Sequence, residues 1–401
     1  MNIYERFIKY VKIDTQSDEN STSTPSSLKQ LNLANQLKSE LDQLKIDCFI
    51  NKGTLYGRIP ANCANKKRIG LIAHLDTSPD FSGSNVNPRL IKNYQGGIIT
   101  LNEEKRIELD PNTFNTLLGN INEDLIVTDG NSLLGADDKA GISIIMEVIN
   151  YLTNNKDILH GDIYLAFTPD EEIGKGTDYF DYDYFKVDYA YTLDGGDIKY
   201  IEYETFNAAS AKVEIVGKNI HPGSAKNKMI NSIRIACEFD SLLPTFMRPE
   251  YTEMYEGFNH LNYISGSVEK TTLDYIIRNH DEKLLKKQKA DFENAAIFLN
   301  NKYGFDCVKV TIKDSYSNMA KYINNNPECL YKIFKAYENL GIKYSTLPIR
   351  GGTDGANLSK NGIPCPNLGN GGYNFHGKYE YLSLTQANKM CDILLELIKI
   401  Q

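Results

Sequence analysis

The chain has 401 residues, of which 41% are hydrophobic and 24% charged, and a formal net charge of −8 at pH 7. That length predicts two domains, since it exceeds the usual reach of one hydrophobic core, and the acidic balance leaves no basic footprint for nucleic acid. No run approaches the roughly 18 uninterrupted apolar residues of a membrane span, and the seven cysteines are scattered, odd in number and never in a CxxC pair, which argues against a disulfide framework and a thiolate zinc site.

In chain order, the opening "MNIYERFIKYVKID" mixes charged and apolar residues where a signal peptide would carry an apolar core, so a cytoplasmic protein with no membrane association is expected. After the polar loop "DENSTSTPSS", Leu28, Leu31, Leu37, Leu41 and Leu44 recur at helical spacing, with Ser26 or Ser27 as N-cap. The apolar runs "RIGLIAHLD", "GDIYLAFTPDEE" and "VDYAYTLDGGD" read as buried strands, and "GADDKAGISIIMEVINYL" as a loop opening a helix. This alternation predicts an α/β domain whose mostly parallel central sheet is flanked by helices.

From about Phe206 the pattern changes. "ASAKVEIVGKN" alternates every second residue, "SIRIACEFDSLLP" has helical periodicity, and "LDYIIRNHD" is again strand-like. "DEKLLKKQKADFENAAIFLNNKYG" is a long amphipathic helix and "CVKVTIKD" a strand. A smaller α+β domain over 207–313 is therefore expected, inserted into a discontinuous domain of 1–206 and 314–401. "PECLYKIFKAYENLG" and "TQANKMCDILLELIKI" return to helices that would pack on the first sheet.

The polar residues fall where these strands stop. The first strand ends in His74 and Asp76, the second in Asp170, Glu171 and Glu172, and the third in Asp194 and Asp197. In an open α/β sheet the loops beyond the carboxyl ends of the strands share one rim, where ligands bind. Carboxylates gathered there repel one another unless a cation sits among them. Imidazole from His74 and from His376 in "GGYNFHGKYE", together with carboxylate oxygen, suits zinc, manganese or cobalt. Each motif alone has a plainer reading: a capped polar pair, a turn, a solvated acidic loop. Their joint placement at strand ends favours the metal.

Taken in order, "AHLDT", "LLGADDKAG", "TPDEEIG", "LDGGD", "IHPGSAK", "PIRGGTDGANLS" and "GGYNFHGK" resemble the M20 family of dinuclear zinc peptidases, in its tripeptide-aminopeptidase branch, over nearly the whole chain. The resemblance implies two zinc ions per subunit, one held by His74 and Asp194, the other by Glu172 and His376, with Asp137 bridging them and a cis bond after it. It implies hydrolysis of tripeptides by a hydroxide held between the metals, with Glu171 as general base. Asp76 would accept a hydrogen bond from the ring N–H of His74 that faces away from the metal. The inserted domain would be a lid that brings His221 to the oxyanion and pairs subunits into a homodimer. Arg278 and Arg350 are candidates to grip the substrate carboxylate, or else form surface ion pairs. The reader of the free amine is left open among Asp129, Asp138 and the segment 93–97. Two other readings stand beside this one: a related hydrolase (dipeptidase, carboxypeptidase or N-acyl amino acid deacylase), and a non-catalytic metal-binding scaffold.

Overall fold

A computed structural model describes residues 1–64 and 66–399, which fall into two compact units. The first comprises Met1–Tyr203, Lys321–Leu347 and the residues from Thr353 onward; the second comprises Glu204–Ala320 and Pro348–Gly352.

The first unit is built on an eight-stranded sheet. Strand Ile69–His74 lies at its centre, parallel to Ile163–Thr168 on one side and to Tyr189–Gly195 on the other. Beyond Ile163–Thr168 the order continues antiparallel through Thr54–Ile59 to Asp47–Asn51. On the other side Tyr189–Gly195 pairs in parallel with Asn367–Gly369, which is antiparallel to Tyr200–Glu202. The sheet is thus mixed, parallel through its central strands and with antiparallel pairings on both sides of them. Every residue of Ile69–His74 and of Ile163–Thr168 is buried, as continuous apolar runs covered on both faces require. Helix Ala136–Asn154 packs against the central strands and buries most of its length.

The helix expected after the Ser/Thr loop spans Gln30–Gln43 and buries Leu33, Leu37 and Leu41. It carries no side-chain N-cap, and Leu28 lies outside it, 75% exposed. Ser26 is withdrawn from capping because both its backbone N–H and its hydroxyl donate to the carboxylate of Asp170. A second, four-stranded sheet orders Gly372–Tyr373, Tyr381–Ser383, Leu125–Val127 and Arg89–Ile91, and its first hairpin presents the loop that carries His376.

The second unit is an antiparallel sheet in the order Phe258–Gly266, Lys270–Asn279, Asn207–Val216, Val308–Asp314. Its inner face packs on helices Ser232–Leu242 and Glu282–Tyr303, with Val213, Ile215, Phe239, Tyr275, Ile277 and Phe292 in the core. The period-2 burial from Ala209 to Val216 is the alternation of a sheet with one covered face. No helix among the described residues is long and apolar enough to cross a membrane.

Candidate metal centre

Strand Ile69–His74 delivers His74 to its carboxyl end, with the side chain 2% exposed. Its Nε2 lies 2.8 Å from Oδ1 of Asp137 and 3.3 Å from Oδ1 of Asp194, at the end of the neighbouring strand. The second imidazole arrives from the other sheet. Nε2 of His376 lies 2.9 Å from Oε2 of Glu172 and 3.3 Å from Oδ2 of Asp137. The two oxygens of Asp137 are therefore divided between two imidazoles, each of which meets one further carboxylate through the same Nε2.

The backbone around Asp137 is irregular. Helix Ala136–Asn154 opens with Asp137 and Asp138 in non-helical conformations, and the bond between them is cis, as the resemblance implies. Asp138 also lies within ligand distance of His74 and Asp194. Its oxygens, however, are committed to protein donors: the backbone N–H of His74 and of Gly141, and Nδ2 of Asn370. Gly141 has no room for a Cβ, which would collide with that carboxylate and with the carbonyl of Leu193.

Asp76 is fully buried and stands between the two halves of the site. Nδ1 of His74 is 3.1 Å from the backbone carbonyl of Asp76 and 3.3 Å from its Oδ1. The same carboxylate accepts the backbone N–H of Glu171 at 3.0 Å and of Glu172 at 3.2 Å. Glu171, partly buried, makes no ion pair with either histidine.

The electrostatics are those of a site short of positive charge. Burial raises the pKa of Glu172 to about 8, helped by repulsion from Asp137 and opposed by His376. Burial likewise lifts Asp194 to about 6 and Glu171 well above the carboxylate range, the latter with Asp194 beside it. Burial works against a charge on His74, yet Asp194 and Asp137 hold its pKa well above the usual value. Hydrogen bonds to Asp137 and Glu172 push His376 up to about 11. Such shifts are what converging carboxylates and imidazoles produce when protons must do the work of a cation. A further sign is that Oε1 of Glu172 is buried without a hydrogen-bond partner among the described residues. Nitrogen and carboxylate donors in two groups with one shared carboxylate are of the kind that suits zinc-like divalent ions: His74, Asp137 and Asp194 could hold one, and His376, Asp137 and Glu172 another.

The supporting roles of several residues were not foreseen from the sequence. Glu380 is 1% exposed and accepts the backbone N–H groups of Leu134, Gly135 and Asp137 at 2.7, 2.8 and 3.1 Å, clamping the loop that carries the shared carboxylate. Asp170 adopts φ 57°, a conformation that aspartate tolerates better than most residues, and is held there by Ser26 and Gln30 immediately before Glu171. Asn367 accepts the N–H of Asp194 and donates to Glu202. Glu380 lies four residues beyond His376 inside a motif already singled out, so its position was visible although its partners were not.

His221, Arg278 and Arg350 belong to the second unit. His221 is exposed in a loop and accepts the N–H of Gly223 on Nδ1. Arg278 sits over the ring of Tyr316 and donates through Nη1 to the carbonyls of Ala209 and Ile277; no carboxylate among the described residues pairs with it. Arg350 lies against Phe206 and Phe258, with both Nη groups donating to Thr252, Met254 and Glu256. Of the two, Arg278 keeps more of its donor fork free.

The sequence profile of peptidase family M20/M25/M40 matches residues 130–400. Peptidase T of Desulfitobacterium hafniense is 51% identical over 401 residues, covering 100% of this chain and 98% of that protein. Peptidase T of Clostridium acetobutylicum is 48% identical, covering 99% and 98%. The crystal structure of the aminopeptidase PepT from Bacillus cereus shares the fold, with a TM-score of 0.79 at 21% identity and coverage of 99% and 97%. With the profile spanning well over half of its length and relatives near half identity from end to end, the chain belongs to peptidase family M20/M25/M40.

Proposed function

We propose that the chain is a zinc aminopeptidase that removes the amino-terminal residue from tripeptides. The observation that carries this reading is the division of Asp137 between His74 and His376, with Asp194 and Glu172 completing the two donor groups. Two divalent ions, once bound, polarise a scissile carbonyl and acidify water. The chain's own residues do the rest. Glu171, outside both donor groups, takes a proton from the attacking water and returns it to the leaving amine. Asp76 orients His74 and anchors the backbone of Glu171 and Glu172, so base and ligand move as one piece. Relatives named Peptidase T, near half identity over the full length, support the choice of a short peptide as substrate.

From the second unit, we assign His221 to the oxyanion and Arg278 to the substrate carboxylate, a lid function for that unit. Its strand Phe258–Gly266 is an outer strand of the sheet with Tyr263 and Ile264 exposed, which suits pairing of two subunits. All seven cysteines are free, which suits the reducing cytoplasm. The test is direct: zinc-loaded protein is offered a tripeptide, its N-acetylated form and a dipeptide. Release of the first residue from the free-amine tripeptide alone is expected. Cleavage of only the dipeptide or the acylated form would replace this reading by a dipeptidase or deacylase, and no turnover of any of the three would favour a scaffold.

A further inference from the structure

An aminopeptidase must recognise a free α-amine, and that amine lies two bonds from the carbonyl carbon under attack. Its reader must therefore stand beside the metal ligands and still be open to substrate. Of the carboxylates that contact the ligand imidazoles, Asp137, Asp194, Glu172 and Asp76 have side chains 13, 13, 4 and 0% exposed. Asp80 is different: its side chain is 66% exposed, and Oδ2 lies 3.3 Å from Nδ1 of His376, on the side of the ring away from Glu172 and Asp137. No lysine or arginine among the described residues pairs with it.

The two other carboxylates considered for the amine are already committed. Both oxygens of Asp138 accept protein N–H groups, and the residue is 0% exposed. Asp129 accepts the N–H of Asn131 and, at 3.4 Å, Nδ2 of Asn87, and contacts no ligand. A solvent-open carboxylate with no lysine or arginine partner among the described residues, beside a ligand imidazole, is the arrangement that an ammonium ion would complete. Resting on the aminopeptidase reading above, we infer that Asp80 is the specificity residue that binds the substrate's α-ammonium group.

A competing role must be separated from this one. By accepting the Nδ1–H of His376, Asp80 could act solely by orienting a metal ligand, as second partners of ligating histidines do. The discriminating quantity is a ratio: kcat/KM for a tripeptide over kcat/KM for the same tripeptide lacking its α-amine, measured with zinc-loaded enzyme. A charge-assisted hydrogen bond is worth about 1.5–3 kcal/mol, or roughly 10- to 150-fold. In Asp80→Asn and Asp80→Ala the ratio is expected to fall by about that factor, and Asp80→Glu should retain part of it. Any loss of His376 orientation lowers both rates together and leaves the ratio alone. An unchanged ratio, with or without a fall in both rates or in zinc affinity, overturns the inference. If the native enzyme cleaves neither peptide, the aminopeptidase reading itself has failed and this inference falls with it.

Discussion

Replacing Glu380 by alanine tests whether the shared carboxylate is held from behind. The Glu380 carboxylate is buried and accepts three backbone N–H groups, two on Oε2 and that of Asp137 on Oε1. Each buried donor left without a partner costs about 1–3 kcal/mol. Three would suggest about 3–9 kcal/mol, but two effects reduce the loss. The carboxylate is itself costly to bury, which is why its pKa is raised to about 7 against the pull of the Gly135 and Asp137 N–H groups. Water can also enter the space vacated by the side chain. A net loss of about 2–4 kcal/mol is therefore expected, large against a typical total of about 5–15 kcal/mol but survivable. Glu380→Gln is the sharper variant. Its carbonyl can satisfy Leu134 and Gly135, which places the NH₂ against the N–H of Asp137, so the disturbance falls on the metal-binding residue. Urea unfolding of zinc-free protein measures the first effect, and zinc competition against a chelator the second. The expected pattern is a large stability loss for Glu380→Ala, a smaller one of about 1–2 kcal/mol for Glu380→Gln, and weakened zinc binding in both. If both variants unfold within about 0.5 kcal/mol of the native protein, a change no larger than an ordinary surface substitution causes, and bind zinc as it does, the clamp is not what positions Asp137.

Other outcomes follow from the same geometry. Glu171→Gln should lower kcat by about 10²- to 10⁴-fold while zinc content is retained; loss of zinc in that variant would make Glu171 a ligand. Without metal, burial places the pKa of Glu172 near 8 and of Glu202 near 7, above the ordinary 4.5. Those groups keep their protons in the fold after the unfolded chain has released them, so their stabilising contribution is complete below about pH 4.5 and is lost as pH rises toward 8. His376, raised to about 11, acts in the same direction above about pH 6.5. The thermal midpoint of zinc-stripped protein should therefore decline from about pH 5 to 8 and recover on adding zinc; a midpoint that climbs over this range would contradict the assignment.

What the sequence disclosed, and what it hid, divides along a physical line. The central strands were legible because burial on both faces demands unbroken apolar runs, and their last residues stand out as polar. The helices Glu282–Tyr303 and Leu384–Lys399 were legible from long periodicity. The small sheet that presents His376 was not, because strands of two or three residues are too short to show any period. The hairpin of Asp47–Asn51 and Thr54–Ile59 escaped for a related reason, since five of the six residues of its second strand are buried and alternation disappears. Ser26 looked like a helix cap, and nothing local to it indicated Asp170, 144 residues away, as its partner. Glu380 likewise meets Asp137 across 243 residues. Ligands repeat motifs and announce themselves, whereas the groups that steady them are ordinary polar residues whose roles are set by tertiary contact.

The most direct test of the metal centre is zinc stoichiometry by elemental analysis of purified native protein, Asp137→Ala and His376→Ala. A carboxylate shared by two ions predicts two zinc per native chain, one in His376→Ala, and near none in Asp137→Ala. Retention of a full complement by Asp137→Ala, or one zinc in the native chain, would contradict it.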